Sequence, residues 1–169
     1  MILLKLIANI DIDFTQRELA SGLCISLSEV NAGIKRLLDS GLVAKIKGNT
    51  LTPILRAAEQ FLIGGLKYMI PGKLGEYTQG IPTAYAAPLF ADKISLGDDP
   101  IPVWPDAYGT KKGVALAPIY PSITKALRNF PDENFYELLV LIDAIRVGRA
   151  RERNIAIEIL RGRLSDERQ

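Results

Sequence analysis

The chain has 169 residues, 48% of them apolar and 24% charged, which suits a globular fold with a real core and excludes a disordered or low-complexity polymer. A net charge of +2 does not announce a polyanionic partner, so any nucleic-acid surface must come from local placement of charge. Histidine is absent and Cys24 is the one cysteine, which removes imidazole bases, Ser-His and Cys-His nucleophile pairs, an internal disulfide and most transition-metal sites.

Residues 1–10 place Leu3, Leu4, Ile7 and Ala8 on one helical face. This apolar start has no basic run before it, and Asp11 and Asp13 follow at once. A core helix of a cytoplasmic protein is expected, with no membrane span or signal peptide. Thr15 with Glu18, and Ser26 with Glu29, are two capping boxes, in which hydroxyl and carboxylate satisfy orphan backbone donors at a helix start. Behind the second box, Val30, Ile34, Leu37 and Leu38 form an apolar stripe that Gly41 closes. Residues 42–47 read as a strand, Gly48-Asn49 as a two-residue turn and residues 50–52 as the returning strand. Thr52 then caps a helix with Pro53 at its first position, running to about Tyr68 with Leu55, Ala58, Phe61, Leu62 and Leu66 inward.

Nine of the ten prolines fall between Pro71 and Pro131, so no long helix survives there. Tyr77, Tyr85, Phe90, Trp104, Tyr108 and Tyr120 are too many aromatics for a disordered linker. An ordered, loop-rich region is expected, with a hairpin of 101–104 against 112–116. Tyr77, Tyr85, Trp104 and Tyr108 could line a pocket with Glu76 or Asp106 as polar anchors, or pack a small core under the loops. Gly72-Lys73-Leu74-Gly75 lacks the strand, helix and Lys-Ser/Thr of a P-loop and reads as a turn. Asp98, Asp99 and Asp106 sit among loop prolines without a second acidic cluster, so no metal, cofactor or catalytic residue is assigned and the protein is read as non-enzymatic.

Pro131 and Asp132 open the last helical part, where Phe135, Leu138, Leu139, Ile142 and Ile145 recur at helical spacing and Gly148 interrupts. Arg146, Arg149 and Arg153 share a face, with Arg151, Arg161 and Arg163 nearby. Residues 132–164 hold six arginines and six acids, so a solvated face paired with Glu152 and Glu158 is favoured over a second DNA contact or an acidic partner. The fold class is α+β, mostly α. Residues 1–68 form a winged helix-turn-helix domain, 69–130 a Pro-rich α+β region without an assigned role, and 131–169 a helical region that packs back or dimerises.

The pattern Thr15-Gln-Arg-Glu-Leu-Ala, Ile25-Ser26, Val30, Ile34-Lys35-Arg36-Leu37, Gly41-Leu42-Val43 resembles the winged helix of multiple-antibiotic-resistance-regulator (MarR) type transcription factors, over residues 1 to about 66. The resemblance implies a homodimeric regulator of double-stranded DNA, with helix 26–38 in the major groove and a short wing over 42–53. Outward residues Ser28, Asn31, Ala32, Lys35 and Arg36 would meet bases or phosphates, Gln16 and Arg17 a phosphate, and Lys45, Lys47 and Asn49 the backbone or minor groove. Three features depart from the pattern: Cys24 at the usual turn glycine, the small pair Ala32-Gly33, and the shortness of the wing. Residues 1–60 carry seven basic and six acidic side chains, so the alternative is a winged helix, or an aromatic middle, that grips a protein. The string Leu141-Ile-Asp-Ala-Ile-Arg-Val-Gly-Arg-Ala-Arg-Glu-Arg is similar to C-terminal segments of small bacterial winged-helix proteins that accompany nucleotidyltransferase-like partners, which implies an antitoxin-like role.

Overall fold

A computed structural model describes the chain except Lys47, Asn49 and residues 167–169. Its order is α1 (Ile2–Ala8), α2 (Gln16–Gly22), α3 (Leu27–Asp39), β1 (Val43–Lys45), β2 (Leu51–Pro53), α4 (Leu55–Gln60), a π turn (Phe61–Gly65), α5 (Leu66–Met69), β3 (Leu74–Pro82), β4 (Pro102–Pro105), β5 (Lys111–Leu116), α6 (Ile123–Asn129), α7 (Glu133–Val147) and α8 (Ala150–Asp166). The class is α+β with more helix than strand.

Both capping boxes form. The Glu18 N–H donates to the Thr15 hydroxyl at 3.2 Å while the Thr15 N–H donates to Glu18 Oε2 at 2.7 Å; Ser26 and Glu29 repeat the exchange at 3.2 and 2.9 Å. Each cap is worth about 1 kcal/mol of helix stability. Helices α2 and α3 both end in paired 6→1 and 5→2 backbone bonds around one left-handed residue. In α3 that residue is Gly41, at φ +68°. In α2 it is Cys24, at φ +52°, with Cys24 N–H on Ser21 O and Ile25 N–H on Ala20 O. Cys24 thus ends α2 with the same pair of backbone bonds that Gly41 gives α3.

The strands β1 and β2 pair antiparallel, Val43 against Pro53 and Lys45 against Leu51. This corrects the expected helix start. Pro53 closes a strand, Ile54 N–H donates to Leu42 O at 2.9 Å, and α4 begins at Leu55 without a side-chain cap. A two-stranded ladder tolerates a proline at its edge, where the missing donor faces no partner.

The Pro-rich segment holds a three-stranded closed sheet. β3 pairs antiparallel with both neighbours, and β4 pairs with β5 in parallel, Pro102 beside Val114 and Val103 beside Ala115. The expected hairpin of 101–104 with 112–116 is thus overturned, since the antiparallel partner of each is β3. Closing so small a sheet forces backbones together. A Cβ at Gly80 would collide with the Trp104 carbonyl, and one at Gly113 with that of Ile101.

One apolar cluster runs from α1 to α8, with α7 at its centre. Residues 138–146 of α7 are buried on every side, as is α1 from Ile2 to Ile7, so neither is the one-faced helix its spacing suggests. Lys5 of α1, buried in that core, pairs with Asp132, the α7 N-cap, at 2.5 Å. Burial pushes the Asp132 carboxyl up, but hydrogen bonds from Lys5, Asn9 and the Phe135 N–H outweigh it and hold the group below its usual range. Gly148 separates α7 from α8. No described helix is long and apolar enough to cross a membrane.

Candidate functional site

Helix α3 is fixed from behind and uncommitted in front. Val30, Gly33 and Ile34 are buried, while Leu37 and Leu38 are half-buried against the same core. On the opposite side Ser28, Asn31, Ala32 and Lys35 are all exposed. The side chains of Asn31 and Lys35 make no hydrogen bond or ion pair among the described residues, and the Ser28 side chain bonds only the neighbouring Ser26 hydroxyl, at 3.0 Å. Gln16 and Arg17 are exposed in the first turn of α2, as is Lys45 at the end of β1. Lys47 and Asn49 of the expected wing lie outside the described residues.

Arg36 differs from Lys35. At about 100° per residue it stands a quarter-turn round the helix, on the flank that also carries Glu29. Both line a groove of about 770 Å³ between α3, α1 and the α4–α5 rod. The Arg36 charge is close enough to the Tyr120 hydroxyl to oppose the rise in that group's pKa. Arg36 therefore belongs to the flank rather than to the outward row.

The start of α3 is held by residues 120–129, a contact no sequence signal announces. Tyr120 donates its hydroxyl to Glu29 Oε1, while Oε2 serves the capping box. Ser122 donates to Leu23 O at 2.7 Å, and Asn129 Nδ2 reaches Cys24 Sγ at 3.8 Å. The bonds from Tyr120 and Ser26 hold the exposed Glu29 carboxyl down to about 2.

The arginine stripe dissolves into three separate roles. Arg146 is buried, with Nη1 2.6 Å from Asp143 Oδ1 and Nε donating to Ile70 O at 2.8 Å. Asp143 Oδ2 accepts from Thr83 at 2.8 Å and from Trp104 Nε1 at 2.6 Å. Burial pushes the Asp143 carboxyl up, and Arg146, Thr83 and Trp104 oppose that shift without cancelling it. Arg153 instead caps the end of α7, donating to Ile145 O and Gly148 O. Arg149 sits in solvent beside Asp99 at 3.3 Å. The expected solvated face paired with Glu152 and Glu158 does not form: Arg146 is buried against Asp143, Arg153 bonds backbone carbonyls, and only Arg149 lies in solvent, against Asp99.

The four aromatics do not surround one pocket. Trp104 is buried and meets Tyr136 edge-on at 5.9 Å, and Tyr85 is half-buried. Tyr77 and Tyr108 are exposed. Asp106 is engaged by both contacts of Arg128, whose guanidinium also lies 4.6 Å over the Tyr108 ring, and Glu76 is exposed. Among the described residues no cluster of three acidic or thiol side chains could hold a metal. Compared with known proteins, the chain matches no family model, no curated protein and no solved structure.

Proposed function

We propose that residues 1–68 are a winged helix-turn-helix and that the protein is a DNA-binding transcriptional regulator, with α3 as the recognition helix. The observation that carries this reading is the front of α3: two capped helices at a tight turn leave Ser28, Asn31, Ala32 and Lys35 exposed and unemployed by the fold. Asn and Ser suit base edges or phosphates, Lys35 suits a phosphate or guanine, and the small Ala32 lets the helix approach the groove floor. Gln16 and Arg17 meet the flanking phosphates from the start of α2, and Lys45 approaches from the wing. A homodimer follows from the reading, since one such helix reads few bases and paired half-sites raise affinity.

The test is a titration of the protein into duplex DNA from upstream of its own gene and into scrambled duplex, each at two salt concentrations. The reading requires preference for the upstream duplex and a steep loss of affinity with salt. Equal, feeble binding to both would sink it.

One observation favours the alternative, a protein-binding antitoxin or adaptor. Tyr77, on β3, is 64% exposed, and Tyr108, in the loop between β4 and β5 that Gln79 Nε2 ties to β3, is 77% exposed. Exposed tyrosines suit a protein contact.

A further inference from the structure

Helix α6 appears in no sequence motif, yet it lies against the turn between α2 and α3. Its buried side is Ile123 and Ala126. At about 100° per residue, Ser122, Lys125 and Asn129 fall in one row on the flank beside Ala126. The two ends of that row are fixed: Ser122 donates to Leu23 O at 2.7 Å, and Asn129 reaches Cys24 Sγ at 3.8 Å. Lys125, between them, is exposed and makes no ion pair among the described residues. Its neighbour Arg128 is different, because Asp106 neutralises it at 2.9 Å.

We infer that Lys125 extends the DNA interface onto α6 by contacting a phosphate of the backbone beside the recognition helix. The inference rests on the DNA-binding reading of α3. Lys125 lies three residues after Ser122 and four before Asn129, on a helix bonded at both ends to the turn that leads into the recognition helix. The contact is to phosphate, so it adds affinity without reading sequence. It also supplies positive charge to an interface whose own segment, residues 1–60, has almost none in excess.

The experiment compares Lys125→Gln, Lys125→Arg, Lys35→Gln and the double variant Lys111→Gln/Lys112→Gln, whose exposed lysines lie on β5. Each is titrated by fluorescence anisotropy into upstream and scrambled duplex across a salt series. Lys125→Gln weakens both duplexes several-fold and by the same factor, and makes the slope of log affinity against log salt shallower by about 0.9. Lys125→Arg restores both, and the β5 variant leaves the slope unchanged. An unaltered slope in Lys125→Gln, beside a clear loss in Lys35→Gln, would overturn the inference and leave the recognition helix standing. Equal losses in the β5 variant would also overturn it, by assigning the effect to total charge. Absence of binding by the wild type would remove the reading on which it rests.

Discussion

The hydroxyl of Tyr120 donates to the carboxylate of Glu29, 91 residues earlier in the chain. Glu29 is the third residue of α3 and already serves its capping box. The end of the helix that would enter the major groove is thus held both by its own cap and by the C-terminal half of the protein.

Removing that hydroxyl in Tyr120→Phe should raise the Glu29 pKa from about 2 toward the ordinary value, stopping short of it because the Ser26 donors remain. A carboxyl depressed in the folded state contributes stability above its unfolded pKa and loses it as pH falls through its folded pKa. The wild-type contribution therefore fades between about 4.5 and about 2, and the variant loses its share at higher pH. Carboxyl carbon shifts followed through an acid titration by NMR check this; an unmoved Glu29 midpoint would dismiss the bond.

Cys24 occupies a left-handed backbone position, φ +52°, that a side chain makes costly. Cys24→Gly should stabilise the protein by about 1 kcal/mol in urea unfolding. Cys24→Val should destabilise it, because a β-branched residue resists that conformation more strongly. A destabilised Cys24→Gly would mean that the thiol's contact with Asn129 outweighs the strain.

Arg146 and Asp143 are 2% and 1% exposed at the side chain, and deleting one partner strands a buried polar group. Arg146→Met should cost about 3–5 kcal/mol. Arg149→Met, three residues on and in open solvent, should change stability by under about 0.5 kcal/mol. Equilibrium denaturation of the two variants separates them; similar small losses would show that the network around Asp143 carries no stability.

What could be read from the chain was what is encoded locally. Thr15 with Glu18 and Ser26 with Glu29 announce helix starts because a cap needs only residues three apart. Gly41 marks a stop for the same reason. The misses are non-local. Gly75, Gly80 and Pro82 made β3 look like loop, since their value lies in the close approach of β4 and β5. The β4–β5 segment resembled a hairpin because proximity in sequence favours antiparallel return, and only β3 supplies the antiparallel partner. Arg146, Arg149 and Arg153 share a helical face by number, but burial by residues far away in sequence divides their roles. Tyr120 and α6 gave no warning, because their partners lie about a hundred residues upstream.

Reading of DNA by the exposed front of α3, on which the proposed function rests, is tested by the double variant Asn31→Ala/Lys35→Ala. Both side chains are uncommitted, so the double variant keeps the fold and its unfolding midpoint. Measured by anisotropy against upstream and scrambled duplex at one salt concentration, it should lose the preference for the upstream duplex while residual sequence-blind binding persists. Full retention of that preference, in a variant as stable as the wild type, would contradict the claim and turn attention to a protein partner.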